Sequence, residues 1–422
     1  MSTPARVLQP LVSLDEAMAN LLGFATVLDG FEQVATFAAD GRVLAQDIVS
    51  GLQVPPQDNS AMDGYAVRCG DLAGAAVALP VSQRIAAGSS GTALAAMSVA
   101  RIFTGAPIPP GADAVVMQED CTLQADGLLR VNALVRPGQW IRRCGEDVTQ
   151  GAVVLQKGER LSPAALGLAA SIGRHQLAVA RHPKVALFST GDELVMPGDV
   201  APEQMPPGAI YNSNRFFLRA LLARLGCRVT DLGIVPDDRA ATIAALRDAA
   251  AEHDLILTSG GVSVGEEDHI KPAVQSLGHL DLWQIAIKPG KPFAYGWVGR
   301  RGVAAAGGSG AHFIGLPGNP VSSFVTFLLL VRPFLLKLQG ARQIAPAPIA
   351  ARADFTWARA DRRREFLRVR RNLAGGLDLF PNQSAGVLTS AVWGDGLVDN
   401  PPGQTIEPGD MVRWIPFAEL LA

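Results

Sequence analysis

The chain has 422 residues, of which 48% are hydrophobic, and its formal net charge of −2 gives no global electrostatic reason to bind nucleic acid or a membrane surface. The four cysteines contain no C-x-x-C pair and the six histidines contain no H-E-x-x-H, which argues against a disulfide scaffold or a Cys/His zinc site. Because the N-terminus lacks a signal-peptide pattern and the apolar stretch from Phe324 to Val331 is too short to span a bilayer, we expect a cytoplasmic globular protein.

The first part of the chain predicts two domains, one inserted into the other. Ser13, followed by a glutamate three residues later, predicts the capped start of a helix. Over residues 51–146 the predicted elements are short and separated by turns, which is typical of a small β-rich domain. Longer periodic segments return over residues 147–182, including a helix that begins at Pro163. We therefore predict that residues 1–50 and 147–182 form one discontinuous domain.

From Lys184 onward the pattern changes to strands that alternate with helices. Apolar strands that lead into polar loops and then amphipathic helices predict an α/β domain with a mostly parallel sheet over residues 183–340. In such sheets ligands bind at the loops that leave the C-terminal ends of the strands. Those loops here read STGDE, VPDD, TSGGVSVGEED and IKPGKP. Further strand-like segments predict a small β domain over residues 345–422.

Acidic side chains recur in these strand-end loops. Glu193, Asp237 and Asp268 each follow a predicted strand, so they would emerge at one edge of the sheet. Carboxylates that converge in this way suit Mg²⁺, which takes oxygen ligands and often bridges to substrate phosphates. The backbone N–H groups of TSGGVSVGEED, which precede a helix, would form a cradle for an anion. Each loop taken alone would most often be an ordinary solvated surface loop, whereas four in register favour a binding site.

Other stretches carry polar groups suited to an anion or a metal. Lys288 and Lys291 flank a Pro-Gly turn and would attract a dianion, although lysines beside a surface turn are common. Asp63 lies on a tight turn, where it either faces a ligand or closes an Asx turn. Thr104 ends a predicted strand and either contacts a substrate or belongs to a plain loop. The eight arginines in residues 351–371 form a solvated strand face or include an anion-binding subset.

Seven stretches of the chain resemble, in order, the motifs of the molybdopterin molybdenumtransferase family, which includes the bacterial MoeA proteins and the E domain of gephyrin. They are DNSAMDGYAVR, TGAPIPPGADAVVMQED, RRCGEDVTQGAVV, VALFSTGDELVMPGD, TSGGVSVGEEDHIK, IKPGKPFAYG and GLPGNPVSS. The resemblance implies an elongated, discontinuous N-terminal linking and dimerisation domain and an inserted β-rich domain. It also implies a three-layer α/β molybdopterin-binding domain and a C-terminal β-barrel-like domain. The family forms homodimers, with a cleft between the α/β domain of one subunit and the inserted domain of the other.

The resemblance implies an enzyme of molybdenum cofactor biosynthesis. In the implied Mg²⁺-dependent reaction, adenylylated molybdopterin and molybdate react, AMP is released, and molybdenum stays on the pterin dithiolene. Because the dithiolene supplies the sulfur ligands, the protein itself would need no cysteine cluster. Cationic groups would attract molybdate, and carboxylate-held Mg²⁺ would stabilise charge that develops at the pyrophosphate link. Other proteins of the same biosynthesis are the expected partners, and nucleic acid and membranes are not.

The site residues of the family carry over position by position. The positions implied in catalysis are Asp63, Thr104, Asp147, Glu193, Lys288 and Lys291. The positions implied in binding substrate or anion are Ser263, Pro317, Pro320, Ser322, Arg363 and Arg368. The positions implied in binding metal are Asp237 and Asp268. Within this set, the two lysines are implied to hold molybdate or the pterin phosphate, and Asp63 and Thr104 to reach across from the partner subunit.

Three features depart from the family pattern. Gln284 stands where some relatives have a lysine, so one cationic contact is expected to be missing. In NQSAG, residues 382–386, Ala385 replaces the hydroxyl residue of the usual Q-G-S-G, which weakens the ligand assignments in the last domain. The insertion GRRGVAAAGGSGAH at 299–312 is predicted to extend a hairpin and carries no chemistry of its own.

Three alternatives remain open at this point. A pterin adenylyltransferase would share the α/β domain, but that family is usually one compact domain, unlike a chain with DNSAMDGYAVR and a C-terminal β segment. A scaffold protein is the second alternative, because the gephyrin E domain also binds receptors, but the chain has no long linkers that favour this. Tungstate is the third, since its size and charge are nearly those of molybdate.

Overall fold

The computed structural model describes residues 11–72, 77–261, 269–299 and 310–421. The chain begins with α1 (Leu14–Phe24), β1 (Phe31–Ala35) and β2 (Ile48–Val49). The Ser13 hydroxyl accepts a hydrogen bond from the backbone N–H of Glu16 at 3.1 Å, so the predicted N-cap is confirmed. Short 3₁₀ turns lie in this and later segments at Thr36–Ala38, Cys69–Leu72, Gln118–Asp120 and Pro202–Gln204.

The next segment is built almost entirely of strands, as predicted. They are β3 (Asn59–Ser60), β4 (Gly64–Val67), β5 (Ala78–Ile85), β6 (Val99–Ile102), β7 (Ala114–Met117), β8 (Cys121–Leu123), β9 (Leu128–Val131) and β10 (Ile141–Arg142). Six of them form a sheet in the order β7-β4-β6-β5-β9-β8, antiparallel except between β5 and β6. Gly64 is required in β4, because a Cβ there would lie 1.8 Å from the carbonyl oxygen of Val116.

The chain then returns to the elements with which it began. The returning elements are β11 (Val153–Leu155), α2 (Pro163–Ser171) and β12 (Gln176–Ala180). Strand β12 pairs antiparallel with β1, and β11 pairs antiparallel with β2. One hydrophobic core contains Leu44 and Ile48 from the segment before the inserted strands and Leu161 and Leu177 from the segment after them. The N-terminal domain is therefore discontinuous, while its exact boundaries stay a prediction.

The largest part of the chain alternates strands and helices. Its strands are β13 (Lys184–Thr190), β14 (Leu194–Val195), β15 (Ile210–Tyr211), β16 (Arg228–Val235), β17 (Leu255–Ser259), β18 (Gly278–Gln284), β19 (Ile287–Lys288), β20 (Pro292–Gly299) and β21 (Gly310–Leu316). Its helices are α3 (Asn214–Arg224), α4 (Arg239–Glu252), α5 (Ile270–Leu277), α6 (Pro320–Thr326) and α7 (Arg332–Leu338). Residues 300–309 of the insertion lie outside the described residues, and β20 and β21 on either side of them pair as a hairpin.

These elements form three layers around a six-stranded sheet. The sheet order is β16-β13-β17-β21-β20-β18, in which the first four strands are parallel and the last two are antiparallel to their neighbours. Residues of α3, α6 and α7 pack on one face, and residues of α4 and α5 pack on the other. The predicted mostly parallel, helix-covered sheet is confirmed, with two antiparallel strands at one side.

One long apolar helix lies inside this domain. Helix α6 continues through a π-helical turn, Phe327–Val331, into α7. Pro333 has no N–H to donate to the preceding turn, and the π-helical turn lies directly before it. Among the described residues, Pro320–Leu338 is long and apolar enough to cross a membrane, with a mean hydropathy of 1.8, but 89% of it is buried inside the structure. Its apolar surface is therefore used by the core.

The last part of the chain is a small β domain. Its elements are β22 (Ile349–Arg352), β23 (Arg364–Arg371), β24 (Leu377–Leu379), α8 (Thr389–Trp393), β25 (Gly396–Asn400), β26 (Met411–Pro416) and α9 (Phe417–Leu421). The sheet runs β19-β23-β25-β26-β22, and β24 pairs with β23. A bridge between Ala353, which follows β22, and Leu377 of β24 connects the β22 side of the sheet back to the strand beside β23, so the sheet closes like a barrel, as predicted. Strand β19 enters this sheet from the α/β domain.

Candidate functional site

The parallel strands end together at one edge of the α/β sheet. Thr190, the last residue of β13, pairs with Val235, the last residue of β16. Ser189 of β13 pairs with Ser259 at the end of β17, and Ser259 pairs with Leu316 at the end of β21. The loops that follow these strands therefore leave from the same side of the sheet. We call this side the strand-end edge.

Two of the predicted acidic residues lie at this edge. Glu193 is exposed three residues after the end of β13, and Asp237 is half-buried two residues after the end of β16. The neighbouring Asp238 is used differently, since its carboxylate accepts a hydrogen bond from the Ala241 N–H at 2.8 Å and caps α4. The other two predicted residues of this edge, Ser263 and Asp268, lie outside the described residues.

The described residues alone do not form a complete metal site. Across the described ranges, no group of three or more His, Cys, Asp or Glu side chains is placed to hold a metal ion. Glu193 and Asp237 nevertheless follow neighbouring strands, and both offer carboxylate oxygens. Such hard donors fit Mg²⁺, which usually keeps several waters and takes only one or two carboxylates together with substrate phosphates.

A glycine turn lies against the end of β13. Gly260 and Gly261 have φ angles of +95° and +65°, which side-chain-bearing residues rarely adopt. A Cβ on Gly260 would lie 2.8 Å from the carbonyl oxygen of Thr190, and a Cβ on Gly261 would lie 2.9 Å from the Thr190 hydroxyl. Because no side chain fits here, the backbone itself lines the edge, as a phosphate-binding loop requires.

Asn214 connects two loops of the edge, and the sequence analysis missed it. Its side-chain NH₂ group donates to the Ser259 hydroxyl at 2.7 Å and to the Gly318 carbonyl at 2.7 Å. The residue is buried at the start of α3. It therefore fixes the end of β17 against the loop that precedes α6. The cluster NSN directly before an amphipathic helix is the signal that would have indicated it.

Replacement of Asn214 by alanine is expected to lower the free energy of unfolding by about 1–3 kcal/mol, because two buried acceptors lose their donor. It should also weaken binding at the strand-end edge, since the GLPGNP loop loses its link to β17. Urea unfolding of the variant measures the first effect. Asn132→Ala is the matched control, because Asn132 makes one exposed hydrogen bond, to Thr122 at 2.9 Å. Equal losses in the two variants would contradict the assigned role.

Several buried polar atoms around this edge lack a partner. Among the described residues, no hydrogen bond is made by the side-chain atoms Ser189 Oγ, Asn212 Nδ2, Thr258 Oγ1 and Ser323 Oγ. Ser189 and Thr258 are each one residue from the end of their strand, and Asn212 lies two residues before α3. Unpaired buried polar groups are rare in folded proteins, where water or a ligand usually satisfies them. Their concentration at this edge supports it as a binding site.

The IKPGKP loop also belongs to this edge. Gln284 at the end of β18 pairs with Pro292, and β20 runs antiparallel to β21, so the loop between them lies beside the end of β21. Within the loop, Gly290 has a φ of +113°, and a Cβ there would lie 2.5 Å from Thr326 Cγ2 and 3.5 Å from the Ser322 carbonyl. The turn between the two lysines therefore packs directly on α6.

The two lysines of the loop differ in their surroundings. Lys288 Nζ lies 3.0 Å from Glu365 Oε1 and 3.5 Å from Asp361 Oδ2, so its charge is shared with two carboxylates of the C-terminal domain. Lys291 is half-buried, and its ammonium group forms no ion pair or hydrogen bond with the part of the chain that the structure describes. Lys291 is therefore the more available cation for an incoming anion.

Lys288→Met is expected to lower the free energy of unfolding by about 1–3 kcal/mol, because it leaves a buried carboxylate without its cation. Glu365 is only 1% exposed, whereas the Lys288 side chain is 39% exposed, which keeps the loss below that of a fully buried pair. Adding Glu365→Gln should recover most of the stability but not the activity. Thermal unfolding of the single and double variants checks this, and equal stability of Lys288→Met and wild type would contradict it.

The two arginines predicted to bind an anion, Arg363 and Arg368, both make hydrogen bonds within the last domain. Arg363 donates to both carboxylate oxygens of Asp361, at 3.0 and 2.8 Å, and these hydrogen bonds hold the pKa of Asp361 below its usual range. Arg368 is 1% exposed, and burial lowers its pKa to about 10. Its guanidinium donates to the Ser390 hydroxyl and to the carbonyls of Phe366 and Ser384, at 3.1, 3.1 and 3.4 Å. Anion binding by these two arginines stays a prediction.

Arg368 acts on the strand-end edge through the NQSAG loop. Gln383 and Ser384 of the loop accept hydrogen bonds from the backbone N–H and the guanidinium of Arg368, and the carbonyl of Ala385 accepts from the backbone N–H of Val321 at 2.9 Å. Val321 follows Pro320 in the first turn of α6, and the buried Ser322 and Ser323 come directly after it. The C-terminal domain thereby contacts the start of α6, next to Pro317 and the loop that Asn214 holds.

Asp63 and Thr104 form a separate pair on the inserted domain. Both the backbone N–H and the hydroxyl of Thr104 donate to Asp63 Oδ1 at 2.8 Å. These two hydrogen bonds, with a smaller contribution from Arg101, hold the pKa of Asp63 below its usual value, so the exposed carboxylate is ionised at neutral pH. Asp147 is also exposed and is held by its backbone N–H, which donates to the Val54 carbonyl at 3.0 Å.

The structure does not bring all the predicted residues together within one chain. Among the described residues, the recorded hydrogen bonds, ion pairs and ring contacts of Asp63 and Thr104 are all made within the inserted domain. None of them reaches the strand-end edge. Glu193, Asp237 and Lys291 all lie at the strand-end edge instead, the two acids beside β13 and β16 and the lysine between β18 and β20.

The comparisons with known proteins agree along the whole chain. Three family models match in order: "MoeA N-terminal region (domain I and II)" over residues 12–173, "Probable molybdopterin binding domain" over 186–337, and "MoeA C-terminal region (domain IV)" over 350–417. A molybdopterin molybdenumtransferase of Haemophilus influenzae is 42% identical over 359 residues, which is 85% of each chain. A molybdopterin molybdenumtransferase 2 of Mycobacterium tuberculosis is 39% identical over 313 residues, 72% of this chain and 74% of that relative.

Two solved structures share the fold of this chain over almost its whole length. A molybdopterin biosynthesis MoeA protein of Pyrococcus horikoshii superposes with a TM-score of 0.83 at 28% identity, covering 96% of this chain and all of that one. A second structure from the same species has a TM-score of 0.75 at 31% identity, and covers 97% of this chain and 99% of that chain. The order and arrangement of all the described domains are therefore those of a known multidomain fold.

Proposed function

This chain belongs to the molybdopterin molybdenumtransferase family, and we propose that it inserts molybdate into adenylylated molybdopterin and releases AMP. Membership makes it a transferase of molybdenum cofactor biosynthesis, as the sequence motifs predict. The specific reaction rests on one observation. The strand-end edge carries a lysine that no carboxylate of the described residues pairs with, two carboxylates and a turn of bare backbone.

Each of these groups suits one part of the two substrates. Molybdate is a dianion, and Lys291 offers a half-buried ammonium group that no carboxylate of the described residues neutralises. The pterin phosphate and the adenylyl phosphate need backbone donors and room, which the turn at Gly260 and Gly261 provides. Cationic and dipolar groups fixed in advance at such a site stabilise the negative charge that develops as the phosphate link breaks.

Magnesium fits the acidic part of the site. Glu193 and Asp237, with Asp268 as the predicted third residue, would hold the ion beside the pyrophosphate link. When bound, Mg²⁺ neutralises charge on the phosphate oxygens and orients them. The residues around it keep the phosphates in position: Asn214 holds the loop before α6, and Gly290 lets the lysine turn approach that helix.

A homodimer completes the proposed site. Asp63 and Thr104 are exposed on the inserted domain and contact no residue of the edge among those the structure describes. In the proposed dimer they reach the edge of the partner subunit. The N-terminal domain also exposes large apolar side chains, Phe31 at 61% and Phe37 at 101%, which a subunit contact would cover. We place the dimer in the cytoplasm, together with other proteins of cofactor biosynthesis.

The reaction is tested with purified protein, Mg²⁺ and adenylylated molybdopterin, with and without molybdate. AMP release that requires both Mg²⁺ and molybdate is the expected result. Formation of adenylylated molybdopterin from ATP and molybdopterin would instead support an adenylyltransferase. No release with either molybdate or tungstate, while the nucleotide stays bound, would support a binding or scaffold function.

A further inference from the structure

A cleft lies at the junction of three domains. Its volume is about 820 Å³. Residues 155–168 of the N-terminal domain, residues 332–345 at the end of the α/β domain, and Glu419 of α9 line it. None of the residues predicted to bind molybdate, pterin or metal is among them. A cleft of this size is within the range that holds small molecules.

Three arginines from two of these segments face the cleft: Arg160, Arg332 and Arg342. Arg332 is 7% exposed, and its two terminal nitrogens donate to the carbonyls of Ile344 and Glu419, at 3.0 and 2.8 Å. Its Nε is buried and has no hydrogen-bond partner among the described residues. Because only carbonyls hold this guanidinium, no carboxylate of the described residues neutralises its charge by direct contact, which favours an anion in the cleft.

Arg342 lies on the other side of the junction. It donates to the Gln156 side chain, and its backbone N–H donates to the Gly158 carbonyl at 2.9 Å, so it connects the α/β domain to the N-terminal domain. Within the described ranges, neither Arg332 nor Arg342 forms an ion pair with a carboxylate. Glu159 and Glu419 also line the cleft, but among the described residues neither carboxylate forms an ion pair with these two arginines, since Glu419 accepts from Arg332 only through its backbone carbonyl. The guanidinium charges therefore remain uncompensated by direct contact.

The start of α2 adds to the positive potential. Ser162 caps this nine-residue helix by accepting from the Ala165 N–H at 3.3 Å, and Ser162, Ala164 and Ala165 all line the cleft. The N-terminal end of a helix carries a partial positive charge and backbone N–H groups. This helix end and the buried Arg332 line the same cleft, so two independent features favour the same kind of ligand.

We propose that this cleft binds a phosphate group, either as inorganic phosphate or as part of a phosphate monoester. Guanidinium groups match the geometry of phosphate oxygens, and a ligand held between Arg332 and Arg342 would bridge the domains that supply them. The cleft is larger than phosphate itself and leaves room for an organic group on the ester. Binding there stabilises the arrangement of the N-terminal, α/β and C-terminal domains, because the ligand binds the folded junction only.

Full-length protein is titrated with inorganic phosphate and, separately, with AMP, at constant ionic strength set by chloride. Calorimetry gives the affinity, and thermal unfolding gives the stabilisation. Arg342→Gln removes one guanidinium, and Ala164→Glu places a carboxylate in the cleft. Ala164 is exposed in the first turn of α2, where an acidic residue favours the helix, so this variant keeps its fold. Arg247→Gln, on the exposed face of α4, controls for lost charge, and Lys291→Ala controls for binding at the strand-end edge.

Phosphate is expected to raise the unfolding temperature of wild type, Arg247→Gln and Lys291→Ala alike. Its affinity should fall about tenfold or more in Arg342→Gln and Ala164→Glu, as loss of a charge-assisted hydrogen bond predicts. AMP binding with the same dependence on Arg342 would identify a monoester as the better ligand. Phosphate binding that is unchanged in both cleft variants, or no phosphate binding to wild type, would overturn the proposal.

Discussion

Lys291→Ala is expected to reduce molybdate-dependent AMP release by about 100- to 1,000-fold, the usual effect of removing one fixed charge-stabilising donor. The structure supports a loss this large because Lys291 is the cation of the strand-end edge that is not paired with a carboxylate among the described residues. Its removal leaves no buried acid unpaired, so the unfolding temperature should change little. The assay is AMP release at saturating adenylylated molybdopterin, with molybdate varied.

Lys184→Ala is the matched control for this prediction. Lys184 begins β13 and therefore lies at the opposite edge of the same sheet, where it is exposed. The Lys184→Ala variant should release AMP at the rate of wild type. If Lys291→Ala released AMP as fast as Lys184→Ala at every molybdate concentration, the placement of the dianion beside Lys291 would be wrong.

Asp63→Asn is expected to reduce the same rate by about 100-fold or more, because it removes a fixed negative charge while keeping the shape of the side chain. The lowered pKa of Asp63 means that the wild-type carboxylate stays ionised through the neutral range, so this loss should not depend on pH there. Thr104→Ser keeps both hydrogen bonds to Asp63 and should retain most activity. Thr104→Val loses the hydroxyl donor, and its rate of AMP release should lie between the rates of Thr104→Ser and Asp63→Asn.

Mixing two inactive variants tests where Asp63 acts. If Asp63 of one subunit serves the edge of its partner, a mixed dimer of Asp63→Asn and Lys291→Ala subunits has one intact site and one doubly altered site. An equal mixture after subunit exchange should then regain about a quarter of wild-type activity, since half of the dimers are mixed and each has one working site of two. No recovery in a mixture shown to exchange subunits would place Asp63 and Lys291 in the same chain's site.

The elements and the strand-end edge were predictable from the sequence because their causes are local. Ser13 caps α1, Pro163 begins α2, and apolar strands that end in polar loops define the parallel sheet. Parallel strands must end at one edge, so Glu193 and Asp237 could be placed there without coordinates. Polar loops at such an edge, together with the family motifs, were sufficient to indicate the site.

The partners of charged side chains were not predictable in the same way. The IKPGKP motif predicts that Lys288 is a free cation. Strand β19 instead joins the C-terminal sheet, which places Lys288 beside the buried Glu365. Arg363 reads as an anion-binding arginine, but a turn brings it to Asp361. The Lys288 pairing depends on how the last domain docks, and a linear pattern carries no record of that, whereas the Arg363 pairing depends only on the local turn at Asp361. The role of Asn214 was missed for the same reason, because its acceptors are 45 and 104 residues away along the chain.

We propose that AMP release and molybdenum insertion are one coupled reaction at the strand-end edge. The most direct test measures both products in a single turnover, with enzyme, Mg²⁺, adenylylated molybdopterin and limiting molybdate. AMP is counted by chromatography, and pterin-bound molybdenum is counted by metal analysis of the separated pterin. We predict equal amounts of the two, each matching the molybdate supplied. AMP released in excess of bound molybdenum, or at the same rate without molybdate, would contradict the proposed reaction.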